Sequence, residues 1–176
     1  MKKLLLSAIT VIICFSLAAC DLSDNAPTKE SYDPANNSSS ASTSNEMTFG
    51  LNETAVFESL KFTATEIKES DGTEYFEPES GKTFVGIKFI IENTSNETQV
   101  VSSLVLFTAY ADDIKCDYSL NANVAFDEGT LDGEIAAGKK LMGWYALEVP
   151  ENWSKIDLEV KSEWLSSGSA MFVFSK

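Results

Sequence analysis

From Met47 to the last residue, apolar and polar positions alternate with a period of two. Leu60, Phe62 and Ala64 alternate with Lys61, Thr63 and Thr65. Val85, Ile87, Phe89 and Ile91 share a face opposite Gly86, Lys88 and Glu92. Leu104, Leu106 and Tyr110 alternate with Val105, Phe107 and Ala109. Leu141, Gly143, Tyr145, Leu147 and Val149 form a fourth run, Ile156, Leu158 and Val160 a fifth, and Phe172 and Phe174 a last one. Shorter candidates span 55–58, 114–118, 121–126 and 131–135. This period describes strands with one buried and one wet face, and no segment carries a sustained 3.6-residue stripe. Turn signals punctuate the runs: Asp71-Gly72, Ser80-Gly81, residues 93–96, Asp112-Asp113, Glu128-Gly129, Asp132-Gly133, Ala137-Gly138 and Pro150. The expected fold is all-β, an antiparallel sandwich of about seven to nine short strands over residues 47–176. The Cys–Trp–Cys spacing of antibody domains is absent, so the expectation is immunoglobulin-like rather than immunoglobulin.

Residues 1–46 read differently. Lys2 and Lys3 precede an apolar stretch at 4–15, too short for a stable span of about 20 residues and flanked like a secretory signal. Leu17-Ala18-Ala19-Cys20 follows at once and resembles the bacterial lipobox. That resemblance implies diacylglyceryl attachment to the Cys20 thiol and removal of residues 1–19 as a signal peptide. The ordinary alternative is cleavage after Ala19 with Cys20 left as a free thiol. Removing residues 1–19 from the 176 leaves 157, with 11 lysines against the same 27 acids and a net charge of −16. Of the three cysteines, only Cys116 then remains in the domain, so no internal disulfide is expected and stability must come from the core. A diacylated residue anchors without any further membrane segment. The expected location is the outer face of the cytoplasmic membrane, the extracellular side in a Gram-positive cell.

Residues 20–46 hold the lipidated Cys20 and a stretch rich in Ser, Asn and Asp, with Tyr32 as its aromatic residue. Such a composition buries too little apolar surface to offset chain entropy and predicts a disordered tether. About 25 flexible residues give a root-mean-square reach of roughly 25–30 Å.

Two stretches of the domain resemble a known family. One is Gly81-Lys82-Thr83-Phe84-Val85-Gly86-Ile87-Lys88-Phe89-Ile90-Ile91-Glu92-Asn93-Thr94-Ser95. The other runs from Ala137-Gly138 through Gly143-Trp144 to Val149-Pro150, with Ile156-Asp157-Leu158-Glu159-Val160 after it. Together they resemble the uncharacterised immunoglobulin-like domain (a domain of unknown function) of bacterial, mostly Gram-positive, lipoproteins, which is related in fold to a mycobacterial secreted immunoprotective antigen. The likeness covers roughly 51–174, with Ala137 where the family usually has Pro. It implies a sandwich and carries over no catalytic residues. Physically, Asn93 can turn the chain through its own side chain, Gly138 supplies a positive φ, and Pro150 ends a strand. Trp144 lies opposite the face of Leu141, Tyr145 and Leu147, where a covering loop is expected.

Composition narrows the chemistry. There is no histidine, and all 13 basic residues are lysine. That removes Ser-His-Asp and Cys-His catalysis, His-ligated metals and guanidinium clamps. A net charge of −14 argues against nucleic acid as a partner. The segment 69–79 carries five carboxylates (Glu69, Asp71, Glu74, Glu77, Glu79) with Tyr75 and Phe76. It reads as a solvated hairpin loop, with a cation or sugar contact as the sharper alternative. Asp112-Asp113, with Asp117 nearby, reads as a turn. Cys116 reads as a small buried hydrophobe on the face of Ile114 and Tyr118. Trp153 and Trp164, set among polar residues, are candidates for a partner-facing aromatic, with packing at a sandwich end as the alternative. No enzyme chemistry, cofactor or metal site is expected. The functional expectation is a membrane-anchored extracytoplasmic lipoprotein with a binding or interaction domain, its partner an envelope protein or the cell wall. A cation- or small-ligand-binding receptor is the alternative, and a carboxylate-based hydrolase is weaker still.

Overall fold

The computed structural model describes residues 27–31, 47–127, 129–163 and 168–176. The signal segment, Cys20, most of the proposed tether and Trp164 lie outside the described residues. The elements in chain order are β1 (Thr28–Ser31), β2 (Thr48–Phe49), β3 (Glu53–Val56), β4 (Leu60–Ser70), β5 (Lys82–Asn93), β6 (Gln99–Val101), α1 (Ser103–Leu106), β7 (Phe107–Ala111), β8 (Ile114–Cys116), α2 (Leu120–Val124), β9 (Gly133–Ile135), β10 (Lys140–Pro150), β11 (Lys155–Lys161) and β12 (Ser169–Ser175).

Two five-stranded sheets face each other. The first has the order β1-β3-β4-β5-β10, the second β2-β12-β11-β7-β8, and β6-β9 form a small third ladder. Pairing is antiparallel except for β2 on β12. The fold is therefore the sandwich that the alternation predicts. The inward residues are those of the period-two runs: Phe62, Val85, Ile87, Phe89, Ile91, Tyr145, Leu147 and Val149 from one sheet, and Phe107, Ala109, Ile156, Leu158, Val160, Phe172 and Phe174 from the other. A row of rings crosses the interior. Phe49 meets Phe172 at 5.2 Å, Phe172 meets Phe89 at 5.2 Å, Phe89 meets Phe107 at 5.5 Å, and Phe107 stacks on Tyr145 at 5.0 Å. Tyr145 meets Tyr118 at 5.4 Å, where the row reaches the open side of the molecule. Edge-to-face and offset contacts of this kind add to the area the rings bury.

The structure corrects the sequence expectations in three places. Three short strands, β1, β2 and β6, were not foreseen. Of these, β1 lies within the stretch expected to be a disordered tether, pairing Thr28 through Ser31 with Val56 through Glu53. Lys29 fastens it, its ammonium 2.6 Å from Glu53, 3.0 Å from the Thr48 carbonyl and 5.6 Å from the Phe49 ring centre. A second ion pair joins Glu30 to Lys61 at 2.9 Å.

Second, the run 121–126 is not a strand. Ser119 Oγ accepts from the Ala122 amide at 3.1 Å, an N-cap that starts α2. Third, in the run from Leu104 to Tyr110 the turn of α1 shifts the phase. Phe107, Ala109 and Ala111 are buried, while Leu104 and Val105 are exposed. Of the two readings of Trp153, partner-facing or packed at a sandwich end, the structure has the packed one. Trp153 is 4% exposed, its indole N–H donates to Glu69 Oε1 at 2.6 Å, and the Lys176 ammonium lies 5.4 Å from its ring centre. It closes one end of the sandwich. The hydrogen bond from Lys176 is the main reason the Glu69 carboxyl lies below its ordinary pKa, burial opposes that effect, and the Trp153 N–H adds to it.

Trp144 is covered, as expected. With Phe84, Phe126, Ala122 and Ala146 it forms a second core on the outer face of the first sheet, beneath α2. Phe126 stacks on it at 5.1 Å, and the Lys88 ammonium sits 5.6 Å from its ring centre. Gly86 makes room for this lid, since a Cβ there would fall 2.8 Å from a Phe126 ring carbon. Gly138 has the left-handed φ of 68° that its turn requires.

Candidate interaction face

The sandwich is closed on one side by β1 and β2, and on the other β10 and β8 are the edge strands of the first and second sheets. The hairpin from β7 into β8 turns on Asp112 and Asp113, both with left-handed φ (47° and 67°). A two-residue turn of this kind matches the twist of its flanking strands. Asp112 also accepts the amides of Ser154 and Lys155 at 3.1 and 3.0 Å, which ties the turn to the start of β11. The aspartates thus serve the turn, as their spacing predicts.

After β8, Tyr118 makes a single bridge to Leu147 of β10 and brings the two sheets together. Its hydroxyl is shut away from solvent, with the Ser103 side chain as its polar neighbour. Ser103, which lines the same cavity, has its hydroxyl engaged with Asp132 Oδ2 at 2.8 Å. Burial pushes the Tyr118 pKa up, the charge of Asp132 adds to the shift, and the Ser103 hydroxyl opposes it. Burial acts on Tyr145 in the same direction and more strongly. Beside Tyr118 lies a cavity of about 270 Å³ lined by Leu104, Phe107, Cys116 and Tyr145, among others. On the far side of Asp117 and Tyr118 a more open depression of about 420 Å³ runs between Leu120 and Glu148. The two hollows share Asp117 and Tyr118, so Leu104 and Leu120 flank one continuous face.

That face carries exposed apolar side chains among polar ones. Leu104 is 72% exposed, Ile114 70% and Leu120 72%, with Val105 and Val124 more than half exposed. Leu120 and Val124, one helical turn apart on α2, form a ridge. The polar groups around it are mostly acidic. The Asp117 side chain is almost fully exposed, with the Lys115 ammonium no nearer than 3.9 Å. Glu148 receives the Glu79 amide at 2.7 Å.

Cys116 is half-buried, its thiol 3.4 Å from the Ile114 carbonyl. Burial pushes the thiol pKa up, the reverse of what a nucleophilic cysteine needs. A bulky maleimide at pH 7 is therefore expected to label the native chain much more slowly than the urea-unfolded chain. Equal rates, followed by mass spectrometry, would contradict a packed thiol.

The acidic segment 69–79 does not converge. Thr73 caps a tight turn in which its amide donates to the Phe76 carbonyl at 2.8 Å and its hydroxyl accepts the Phe76 amide at 3.2 Å. Glu69 turns to Trp153 and Lys176, and Glu79 pairs with Lys82. Among the described residues no three Asp, Glu, Cys or His side chains gather as metal ligands. Tyr75 stands 82% exposed at the tip of the segment. The alternation of the runs that hold Leu104 and Val124 is that of strands, and it conceals this face in the sequence. Their exposure follows from two single-turn helices that period-two counting does not register.

Crystal structures from Gram-positive bacteria share this architecture. A protein of Bacillus subtilis described as a "putative lipoprotein" aligns over 67% of this chain with a TM-score of 0.56 and 16% identity, and this chain spans only 37% of its length. A conserved hypothetical protein of Bacillus anthracis aligns over 65% of this chain and 91% of its own, with a TM-score of 0.52 and 16% identity. An uncharacterised β-sandwich protein of Clostridium difficile aligns over 76% and 99%, with a TM-score of 0.50 and 15% identity. At such identities the likeness is one of fold. No helix among the described residues is long and apolar enough to cross a membrane. No protein of curated function matches the chain. Residues 49–171, from β2 into β12, match the domain of unknown function DUF4352, and the chain belongs to that family.

Proposed function

We propose that this protein is a lipid-anchored extracytoplasmic protein whose sandwich works by binding a partner, without catalytic chemistry of its own. The observation that carries the binding half is the apolar face around Tyr118. Most of the large apolar residues are gathered into two cores, and although Tyr75 and Val100 also stand exposed, Leu104, Ile114 and Leu120 lie near one another beside the edge strand β8, as at an interaction site. The cavity beside Tyr118, at about 270 Å³, lies below the usual size of small-molecule pockets, roughly 300–1,000 Å³, and suits one inserted side chain. The anchoring half rests on Leu17-Ala18-Ala19-Cys20, and a neighbour in fold described as a "putative lipoprotein" fits it.

The anchoring is tested by fractionating cells that express the wild-type chain or Cys20→Ser. The wild-type chain is expected in the membrane fraction, with a diacylglyceryl mass on an N-terminal Cys20, and the variant in the medium or soluble fraction. A wild-type chain that begins elsewhere, or carries Cys20 unmodified, would remove the anchor.

A further inference from the structure

We propose that the open edge at β8 takes up an extended peptide segment of an envelope partner in which apolar and basic side chains alternate. This deepens the binding reading above and does not depend on the lipid. Three observations converge on it. The first is topological. Since β8 ends the second sheet, one side of its backbone has no neighbouring strand in that sheet. An incoming extended segment can add there through main-chain hydrogen bonds, with pockets reading its alternate side chains.

The second is the shape and chemistry of what lies beside the edge. Cys116 lines the cavity that runs down to Phe107 and Tyr145, and Leu104 borders it. Ile114 shares the Cys116 face of β8, since residues two apart in a strand point the same way. Successive apolar side chains of an added strand would meet Ile114 and the cavity.

The third is charge. Asp117 and Glu148 border the two hollows, and Lys115 is the single lysine among their lining residues. The whole chain carries −14. An acidic partner would be repelled at this distance, whereas a basic one is drawn in and oriented. A second copy of this chain is disfavoured on the same ground.

The test uses the full chain extracted in mild detergent and two fluorescent peptides, one of alternating lysine and valine and one of alternating glutamate and valine. Anisotropy should show saturable binding of the lysine peptide and at least about tenfold weaker binding of the glutamate peptide. Leu104→Asp and Ile114→Asp alter exposed side chains, so their melting temperatures should stay near wild type, while each weakens the lysine peptide about tenfold or more. Asp117→Lys should weaken it as well and flatten its dependence on salt. Either of two results would overturn the proposal: no saturable binding of the lysine peptide, or binding unaffected by the three substitutions. Equal binding of both peptides would also do so, since it would remove the charge argument. Because the readout is binding in detergent, an unmodified Cys20 would defeat the anchor and leave this result standing.

Discussion

Asn93→Leu is expected to destabilise the domain by about 3–5 kcal/mol, although the two side chains are similar in size. Asn93 is fully buried at the end of β5 and uses its whole amide. Nδ2 donates to the carbonyls of Glu97 at 2.7 Å and Ile135 at 2.8 Å. Oδ1 accepts the Ser95 amide at 2.9 Å and the Ser95 hydroxyl at 2.8 Å. One side chain therefore holds the turn after β5 and ties it to β9, 42 residues further on. Its backbone joins in, since the Asn93 amide donates to Lys139 and its carbonyl accepts from Gly138. Leucine would leave the Ile135 carbonyl buried and unpaired, and each such group costs about 1–3 kcal/mol. Asn93→Asp separates hydrogen bonding from packing. At neutral pH its carboxylate would face two carbonyl oxygens, so its folded pKa should rise above its unfolded value. The sign follows: this variant is least stable above the raised pKa and regains stability as acidification protonates the carboxyl and restores a donor. Urea denaturation of wild type and both variants at pH 7 and pH 4.5 measures this. A leucine variant within about 1 kcal/mol of wild type would show that the network is dispensable.

Phe172→Ala is the second large effect, expected to cost about 3–5 kcal/mol through lost apolar burial and the cavity left behind. Phe172 is fully buried at the centre of the ring row, with Phe49, Phe89 and Phe174 around it. Losing it opens a gap between both sheets and the parallel β2–β12 pair, where Phe172 stands opposite Phe49. For a domain of this size the melting temperature should fall by about 10–20 °C. Val173→Ala in the same strand alters a half-buried position on the outward face and should cost much less. Thermal unfolding followed by circular dichroism compares the two. Equal losses would mean that the core is not where the alternation of β12 places it.

Together the two sites separate what holds the sheets together from what holds their connections. Phe172 acts between layers, where apolar area is removed from water in bulk. Asn93 acts at a layer's end, where the chain must reverse and its backbone groups need partners that no strand supplies.

Much of this was legible in the residues. Alternation along β4, β5, β10, β11 and β12 follows from the pleat itself, which sends every second side chain to the same layer, so the inward set can be counted off without coordinates. The same holds for Asp112-Asp113, for Gly138, and for Asn93 as a turn residue, because each answers a demand of the local backbone. The lipobox-like tetrapeptide is likewise a statement about local sequence. What local sequence could not decide was which partner a segment meets. The polar stretch around Lys29 looks featureless until β3 offers it an edge and Glu53 and Phe49 offer its ammonium a seat. Trp153 sits among polar neighbours in the chain yet is buried, because Glu69 and Lys176 come from distant elements to meet it. Leu104 and Val124 fall in strand-like runs yet face water, because single helical turns rotate them away from the sheets. Period and turn chemistry depend on neighbours in the chain, and these the residues determine. Closure of the sandwich, the choice of Phe126 and α2 as the cover over Trp144, and the edge position of β8 depend on contacts between residues far apart in sequence, and only the folded structure decided them.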